Sequence, residues 1–588
     1  MKIFIKQVLH LLDKDKKKLP VIILFFLMSS LLDLIGIGLI GPYIALLVDI
    51  DIASGLISDA IVLFGLPSNK EQLVISIGYI LLIVFLTKAI FAIWINRVIV
   101  KFSESQHIRL IKVLMSSYQS LSYVDYIRRN SSEYVYSIHQ LSNQYANHVV
   151  SPLLRMLSDG IVVSAIVIFL ALQSPAALGL LLSLIVVMMF IYDSIFRRKM
   201  NTYGEQLNLA ASAIIKGVTE GIEGMKEIRI LGKEQYFYKN VTKEADKLAS
   251  YAIKSTVVSQ SLRYLLELTM IAFVVSLVLI TLNIGGNIPA LIPILSVFGV
   301  AALRLFPAVN TFMQSLMQMR YGKDSVSRLM SDLKDIQNIE MQESNIKPAP
   351  RLKENFEELQ LDNVYFSYPA SNINALENIS LKIKAGESIG IIGPSGSGKT
   401  TLLDTLLGLF DPQKGDIIFN KKNIKDDLTQ WQSQVAYIPQ QVFLVDGTLQ
   451  QNITFGLDDF EVEEERLNKS LHQARLSDLV NELPEGVNTI LGERGIRFSG
   501  GQRQRVALAR AFYHGRNVIV MDEATSALDN ETEREIVGEI ERLKGTKTMI
   551  VIAHRLSTLK HCDRIYELKN GRVINEGSYD KIVRRIDN

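Results

Sequence analysis

Long apolar stretches fill the first half of this chain, and short alternating ones fill the second. Six stretches stand out, near Leu19–Val48, Leu73–Val100, Val149–Leu172, Ala176–Phe196, Leu262–Leu282 and Ile288–Met313. Each reaches the roughly 20 residues that a helix needs to cross a bilayer, so six spans are expected. Beyond residue 350 the pattern changes: Leu359, Leu361, Val364 and Phe366 lie in β-like runs. The fold class this predicts is an all-α membrane domain of six helices followed by a soluble α/β domain.

Lys14, Lys16, Lys17 and Lys18 precede the first stretch as in a signal peptide, but the stretch is too long and shows no small-residue cleavage site. It therefore reads as an uncleaved span. Lysine and arginine gather at the N-terminus, in Lys101–Arg129 and in Arg197–Arg263, whereas the turns Gln173–Pro175 and Asn283–Asn287 carry no charge. The positive-inside rule then puts the basic segments and both termini in the cytoplasm. These basic loops are long and helix-like, so the spans are expected to continue well past the membrane, with tips around Tyr123–Arg129 and Glu220–Ile228. Such length is wasteful for a solvated loop and suits a docking role. Asp49–Ser68 fits either a helix lying on the outer membrane surface or a loop packed on the spans.

A chain of 588 residues exceeds one ordinary core. The polar, proline-bearing stretch Ser344–Arg351 marks the boundary, giving a membrane domain over 1–330, a linker over 331–355 and a soluble domain over 356–588. No internal repeat is present. The formal charge of +3 is too small to suggest a nucleic-acid partner. The single cysteine, Cys562, excludes an intrachain disulfide and a Cys-built zinc site, and reads as a structural thiol.

Chemistry concentrates in the soluble half. Ser388–Ile392 reads as a buried strand running into GPSGSGKT, with a helix from Lys399 to Leu409 behind it. In that context Gly393, Ser395, Gly396, Ser397 and Gly398 bring backbone N–H groups around phosphates, Pro394 lies in the same loop without one, and the helix start adds favourable potential. Lys399 would contact the β- and γ-phosphates of ATP, Thr400 would ligate Mg²⁺, and Thr401 belongs to the same nucleotide-contacting stretch. Val518–Met521 is a second short strand, ending in Asp522 and Glu523. An acidic pair there is weak evidence alone, because a helix N-terminus also favours carboxylates. Behind a phosphate loop it supplies what hydrolysis needs, one carboxylate near Mg²⁺ and one group to orient water.

Together with FSGGQ, Phe498–Gln502, and VIVMDEATSALD, Val518–Asp529, these strings resemble the nucleotide-binding domain of ABC transporters. The resemblance implies a type IV exporter fold and assigns roles residue by residue. Asp522 would hold the metal and Glu523 the attacking water. Gln440, in YIPQ, would sense Mg²⁺. His554, in IAHR, would meet the γ-phosphate, and Tyr368 would stack on adenine. Ser499, Gly500, Gly501 and Gln502 would complete the ATP site of a second chain, with Asp529 spanning the interface. One copy of each motif therefore implies a homodimer, although a partner encoded elsewhere would serve equally. Phe498 stands where the family usually has leucine, apolar for apolar. Gly492-Glu493-Arg494-Gly495 resembles the loop that touches the coupling helices in exporters, for which the tips Tyr123–Arg129 and Glu220–Ile228 are candidates.

Ionisable groups within spans are costly and therefore informative. Lys88, Arg263 and Arg304 are basic, and Asp33, Asp193 and Glu267 are available to offset them; Arg263 and Glu267 have helical i, i+4 spacing. They form either internal ion pairs or a site for cargo. The first span, LLDLIGIGLIGPYIALL, and the LRLFPAVN segment are similar to those of the bacterial PglK-type flippases of lipid-linked oligosaccharides. That resemblance implies an anionic lipid-linked glycan as cargo, moved across the bacterial inner membrane. Export of a drug, peptide or ordinary lipid, or regulation of another membrane protein, are the alternatives.

Overall fold

In a computed structural model the chain forms two units, Met1–Leu121 with Arg129–Ile346, and Ser122–Arg128 with Lys347–Asn588. The structure describes residues 2–47, 70–283, 291–335, 354–369, 371, 373–492, 495–524, 529–552 and 559–586. The segment Asp49–Ser68, the turn after Asn283 and the stretch Ser344–Arg351 thus lie outside the described residues, at least in part.

The first unit is built on α1 (Lys2–Leu12), α2 (Leu19–Leu47), α3 (Lys70–Gln119), α4 (Ser151–Gln173), α5 (Pro175–Glu223), α6 (Glu234–Asn283), α7 (Leu291–Tyr321) and α8 (Lys323–Asp335). Among the described residues five helical stretches are long and apolar enough to cross a membrane: Ile3–Gly36, Glu71–Gln119, Ser131–Leu172, Pro175–Glu223 and Glu234–Asn283. They contain or overlap the first five expected spans, and α7 overlaps the sixth. Helices are required here because hydrocarbon offers no partner for a free N–H or C=O. Leu82, Ile93, Leu172 and Phe190 are exposed, as lipid-facing residues must be, while Phe26, Leu114, Tyr145, Ile166, Leu262 and Leu305 are buried inside.

Helices of 50, 49 and 50 residues (α3, α5, α6) span about 75 Å, more than twice the roughly 30 Å of hydrocarbon. The basic loops of the sequence are these helices continuing. Polar contacts replace lipid there: buried Asp332 accepts hydrogen bonds from Tyr118 Oη at 2.7 Å and Ser137 Oγ at 2.8 Å and pairs with Arg129 at 2.8 Å. Asp332 thereby ties α3 and the segment after Arg129 to α8. Where α5 passes the end of α7, Gly204 leaves room for the Tyr321 carbonyl oxygen, with which any Cβ would collide.

The second unit contains a four-stranded antiparallel sheet and a six-stranded one. Its elements are β1 (Glu358–Phe366), β2 (Leu376–Lys384), β3 (Ser388–Ile392), α9 (Lys399–Leu406), β4 (Lys414–Phe419), β5 (Lys422–Asn423), β6 (Val435–Ile438), α10 (Gly500–His514), β7 (Val518–Asp522), α11 (Asn530–Arg542), β8 (Thr548–Ile552), β9 (Arg564–Lys569) and β10 (Arg572–Gly577). The small sheet has the order β2-β1-β4-β5, and the large one β10-β9-β3-β8-β7-β6. Central β3 is buried at every position and pairs in parallel with β8 and β9, Gly390 facing Val551 and Ile565. Burial on both faces explains why Ile389–Ile392 is continuously apolar rather than alternating. Trp431 is fully buried beneath, its indole N–H donating to Leu406 O at 2.8 Å. The same unit includes the one-turn helix Tyr123–Tyr126, capped by Ser122, with the Tyr123 ring 5.8 Å from that of Phe410.

Replacing Gly204 by alanine should force α5 away from Tyr321, at a cost of about 1–3 kcal/mol. Thermal unfolding of the detergent-solubilised chain checks this, and an unchanged melting temperature would contradict the close approach.

Candidate functional site

The chain turns sharply after β3, and glycine makes the turn possible. Gly393, Gly396 and Gly398 have φ of 153°, 77° and 102°, where a side chain is strained. At Gly398 a Cβ would also lie 2.8 Å from Ala375 O. The loop delivers the chain into α9, whose N-terminus faces the loop. Lys399 curls back so that its ammonium donates to Gly393 O at 2.8 Å and Pro394 O at 3.0 Å. Burial pulls its pKa down, opposed by the carboxylates of Glu523 and Asp522. Ser397 Oγ is buried with no hydrogen-bond partner among the described residues. A cation, an unmatched hydroxyl and a helix N-terminus converging on one loop fit a phosphate chain.

The loop forms one wall of an open cleft of about 900 Å³, shared with Tyr368, Thr400, Thr401, Gln440, Asp522 and Glu523. Tyr368 is anchored by a 3.0 Å hydrogen bond between its hydroxyl and Thr401 Oγ1. Buried Asp522 ends β7. Glu523 follows with φ at +50°, a left-handed conformation unusual for a glutamate, secured by its N–H donating to Ile552 O at 3.0 Å. Strain of this kind persists where the surroundings over-determine it, commonly at functional sites. Gln440 Nε2 donates to Glu523 Oε2 at 2.7 Å, so the two residues predicted to manage metal and water are already in contact.

Ser499, Gly500, Gly501 and Gln502 occupy a different place. Ser499 caps α10, its Oγ accepting from Gln502 N at 3.2 Å while Gln502 Oε1 accepts from Ser499 N at 2.8 Å. This reciprocal box leaves the helix start defined but outside the cleft walls. Asp529 caps α11, accepting from Glu531 N at 3.1 Å and Thr532 N at 2.9 Å; these hydrogen bonds hold its carboxyl below the usual range. His554, Glu493 and Arg494 lie outside the described residues.

Three residues were not singled out from the sequence. Asn570 and Gly571, in the β9–β10 turn, line the cleft, and Gly571 N donates to Ser397 O at 2.9 Å, bracing the phosphate loop. The Asn-Gly pair between two strands was a readable hairpin signal. Asp404, in α9, is pushed up to about 6 by burial and then by Asp522. No local pattern announces it.

In the membrane unit Lys88 and Arg304 come together on Asp33, at 2.6 Å and 2.9 Å. Arg263 does not join them. It is 73% exposed and pairs with Glu267 at 3.1 Å, as the helical spacing suggested. Asp193 pairs with Arg320.

Residues 19–300 match the family model for the ABC transporter transmembrane region, and residues 376–526 the model for the ABC transporter. The ATP-dependent lipid A-core flippase of Cupriavidus pinatubonensis is 30% identical over 490 residues, covering 81% of this chain and 80% of that protein. That of Ralstonia nicotianae is 29% identical, covering 83% and 81%. The ABC multidrug transporter MDR5 of Trichophyton rubrum is 40% identical, but over 39% of this chain and 18% of that protein. A solved bacterial Atm1-family ABC exporter with ATP bound aligns with a TM-score of 0.78 over 97% of this chain and 96% of that one, at 22% identity, a likeness of fold.

Glu523→Gln should retain ATP binding yet slow hydrolysis by about 10²–10⁴-fold, the usual contribution of a positioned general base, in a single-turnover assay. Asp404 gives a pH-dependent expectation. Its folded pKa lies above its ordinary 3.8, so ionisation disfavours the folded state, the cost growing from about pH 4 to about pH 6 and staying constant above. Asp404→Asn should therefore raise the melting temperature at pH 7, and the gain should shrink as the pH falls towards 4.

Proposed function

This chain belongs to the ABC transporter family as a half-transporter, one transmembrane region joined to one ATP-binding cassette, and from that premise we propose that it flips an anionic glycolipid across the bacterial inner membrane as a homodimer. It is a multi-pass membrane protein with an ABC-type ATPase coupled to transport. The cargo reading rests on one observation: two cations, Lys88 and Arg304, meet a single buried carboxylate inside the membrane unit. Such a cluster keeps an excess positive charge that an anionic head group crossing hydrocarbon needs. The flippase relatives, named for lipid A-core, support a glycolipid, and a lipid-linked oligosaccharide satisfies the same charge. The multidrug likeness covers too little of the chain to speak for the spans.

In the ATPase cycle we assign these roles. Lys399 exchanges the carbonyls of Gly393 and Pro394 for β- and γ-phosphate oxygens, and the Ser397 hydroxyl and loop N–H groups complete the cradle. Tyr368 stacks on adenine. Thr400, Asp522 and Gln440 would hold Mg²⁺, which neutralises phosphate charge when bound. Glu523 orients the attacking water once Gln440 releases its carboxylate, and His554 meets the γ-phosphate. Ser499–Gln502 and Asp529 of each copy serve the ATP site of the other, so closure on ATP draws two cassettes together. The tips at Tyr123–Arg129 and Glu220–Ile228 pass that closure to the spans.

Deletion of the gene, followed by mass spectrometry of membrane lipids, should reveal accumulation of a phosphate-linked glycolipid. Restoring the wild-type gene should clear it, and a Lys88→Met/Arg304→Met double variant should not. An unchanged lipid profile would favour drug or peptide export instead.

A further inference from the structure

Asp33 is the most completely buried charge in the cation cluster, with 1% of its side chain exposed. Its two oxygens are divided between two helices, Oδ1 at 2.6 Å from Lys88 Nζ on α3 and Oδ2 at 2.9 Å from Arg304 Nη2 on α7. The two cations are held differently. Lys88 is 14% exposed and sits over the Phe85 ring, 4.9 Å from its centroid. That ring in turn packs where Gly36, one turn beyond Asp33, has no side chain; a Cβ there would lie 3.3 Å away. Arg304 is the open member, 39% exposed as a side chain, although its Nε is buried and has no hydrogen-bond partner among the described residues. Its guanidinium therefore gives Asp33 one N–H group of a fork that could give two. Asp159 and Arg155 also lie within electrostatic reach, so further charges of both signs surround the trio.

We propose that Asp33 is a tethered stand-in for the cargo's anion and sets the charge threshold for transport. It neutralises Arg304 when no head group is bound, and a ligand takes its place only by bringing more negative charge and more acceptor oxygens than one carboxylate. A phosphate monoester or a pyrophosphate meets that condition, since its oxygens can replace Asp33 on the exposed part of the Arg304 guanidinium while Lys88 remains on Asp33. A monocarboxylate or a zwitterionic lipid does not. Asp33 is thus a specificity-determining residue acting through Arg304. This inference rests on the reading that Lys88 and Arg304 face the cargo.

The test uses the full chain in phosphatidylcholine proteoliposomes, with ATPase stimulation titrated by phosphatidic acid and, separately, by oleate. Wild type should respond to phosphatidic acid and not to oleate. Asp33→Asn should lower the half-stimulating phosphatidic acid concentration, by about tenfold if Asp33 leaves Arg304 free about a tenth of the time, and should admit oleate. Asp33→Glu should restore the wild-type threshold. Lys88→Met and Arg304→Met should shift the response the opposite way. A purely structural ion pair predicts that Asp33→Asn weakens stimulation as the cation variants do, and that outcome overturns the proposal while leaving the anionic-cargo reading standing. Should Asp33→Asn fail to fold, Asp33→Asn/Lys88→Met restores the charge balance; a threshold no lower than that of Lys88→Met alone overturns the proposal. Stimulation that is absent in wild type, or identical in Lys88→Met/Arg304→Met and wild type, overturns both readings together.

Discussion

A backbone that crosses hydrocarbon must satisfy every one of its own hydrogen bonds, and most of the first unit follows from that requirement. It makes the spans helical, and because helix geometry costs nothing extra to extend, α3, α5 and α6 carry on for 49 or 50 residues. The extensions have no lipid to hide their apolar faces, so they pack on one another and close with polar contacts. Asp332 is the clearest case, holding Tyr118, Ser137 and Arg129 from two other parts of the unit.

The same solvent logic separates the two charged sites. Both bury carboxylates beside cations, yet they resolve the cost differently. In the membrane unit Asp33, almost wholly buried, is paired directly with two cations. In the cassette Lys399 is satisfied by backbone carbonyls of its own loop, which leaves Asp522 and Glu523 at the opposite wall of an open cleft. Those carbonyl contacts of Lys399 can be exchanged for the oxygens of a ligand. Such exchange suits a site that must bind and release nucleotide on every turn.

Much of the cassette was legible in the sequence because its parts are local. A glycine-rich loop between an apolar strand and a helix is specified by about a dozen adjacent residues, and the structure places Ser395, Gly396, Gly398, Lys399, Thr400 and Thr401 together along one cleft. The Arg263–Glu267 pair is likewise contained within one turn. What could not be read joins residues far apart. Asp33 and Arg304 are 271 positions apart and Tyr118 and Asp332 are 214, and no periodicity encodes which of several carboxylates a given cation will choose. Asp193 was as reasonable a partner for Lys88 as Asp33, and helix packing gave it to Arg320. Asn570–Gly571 is an intermediate case, a visible turn whose role depended on β9 lying beside β3.

The strained backbone of Glu523 brings these strands together. A left-handed glutamate costs on the order of 1 kcal/mol relative to a relaxed one, a cost that glycine would remove. Glycine would also remove the carboxylate. The strain is maintained by the N–H bond to Ile552, the last residue of β8, and the side chain is held by Gln440, which follows β6. Since β6, β7 and β8 are consecutive in the sheet, a shift of either outer strand relative to β7 would move the carboxylate or its partner. The geometry of the proposed hydrolytic centre is in this sense a property of the sheet register, with Ile438 opposite Met521 and Asp522 opposite Ile552, rather than of the acidic pair that first suggested it.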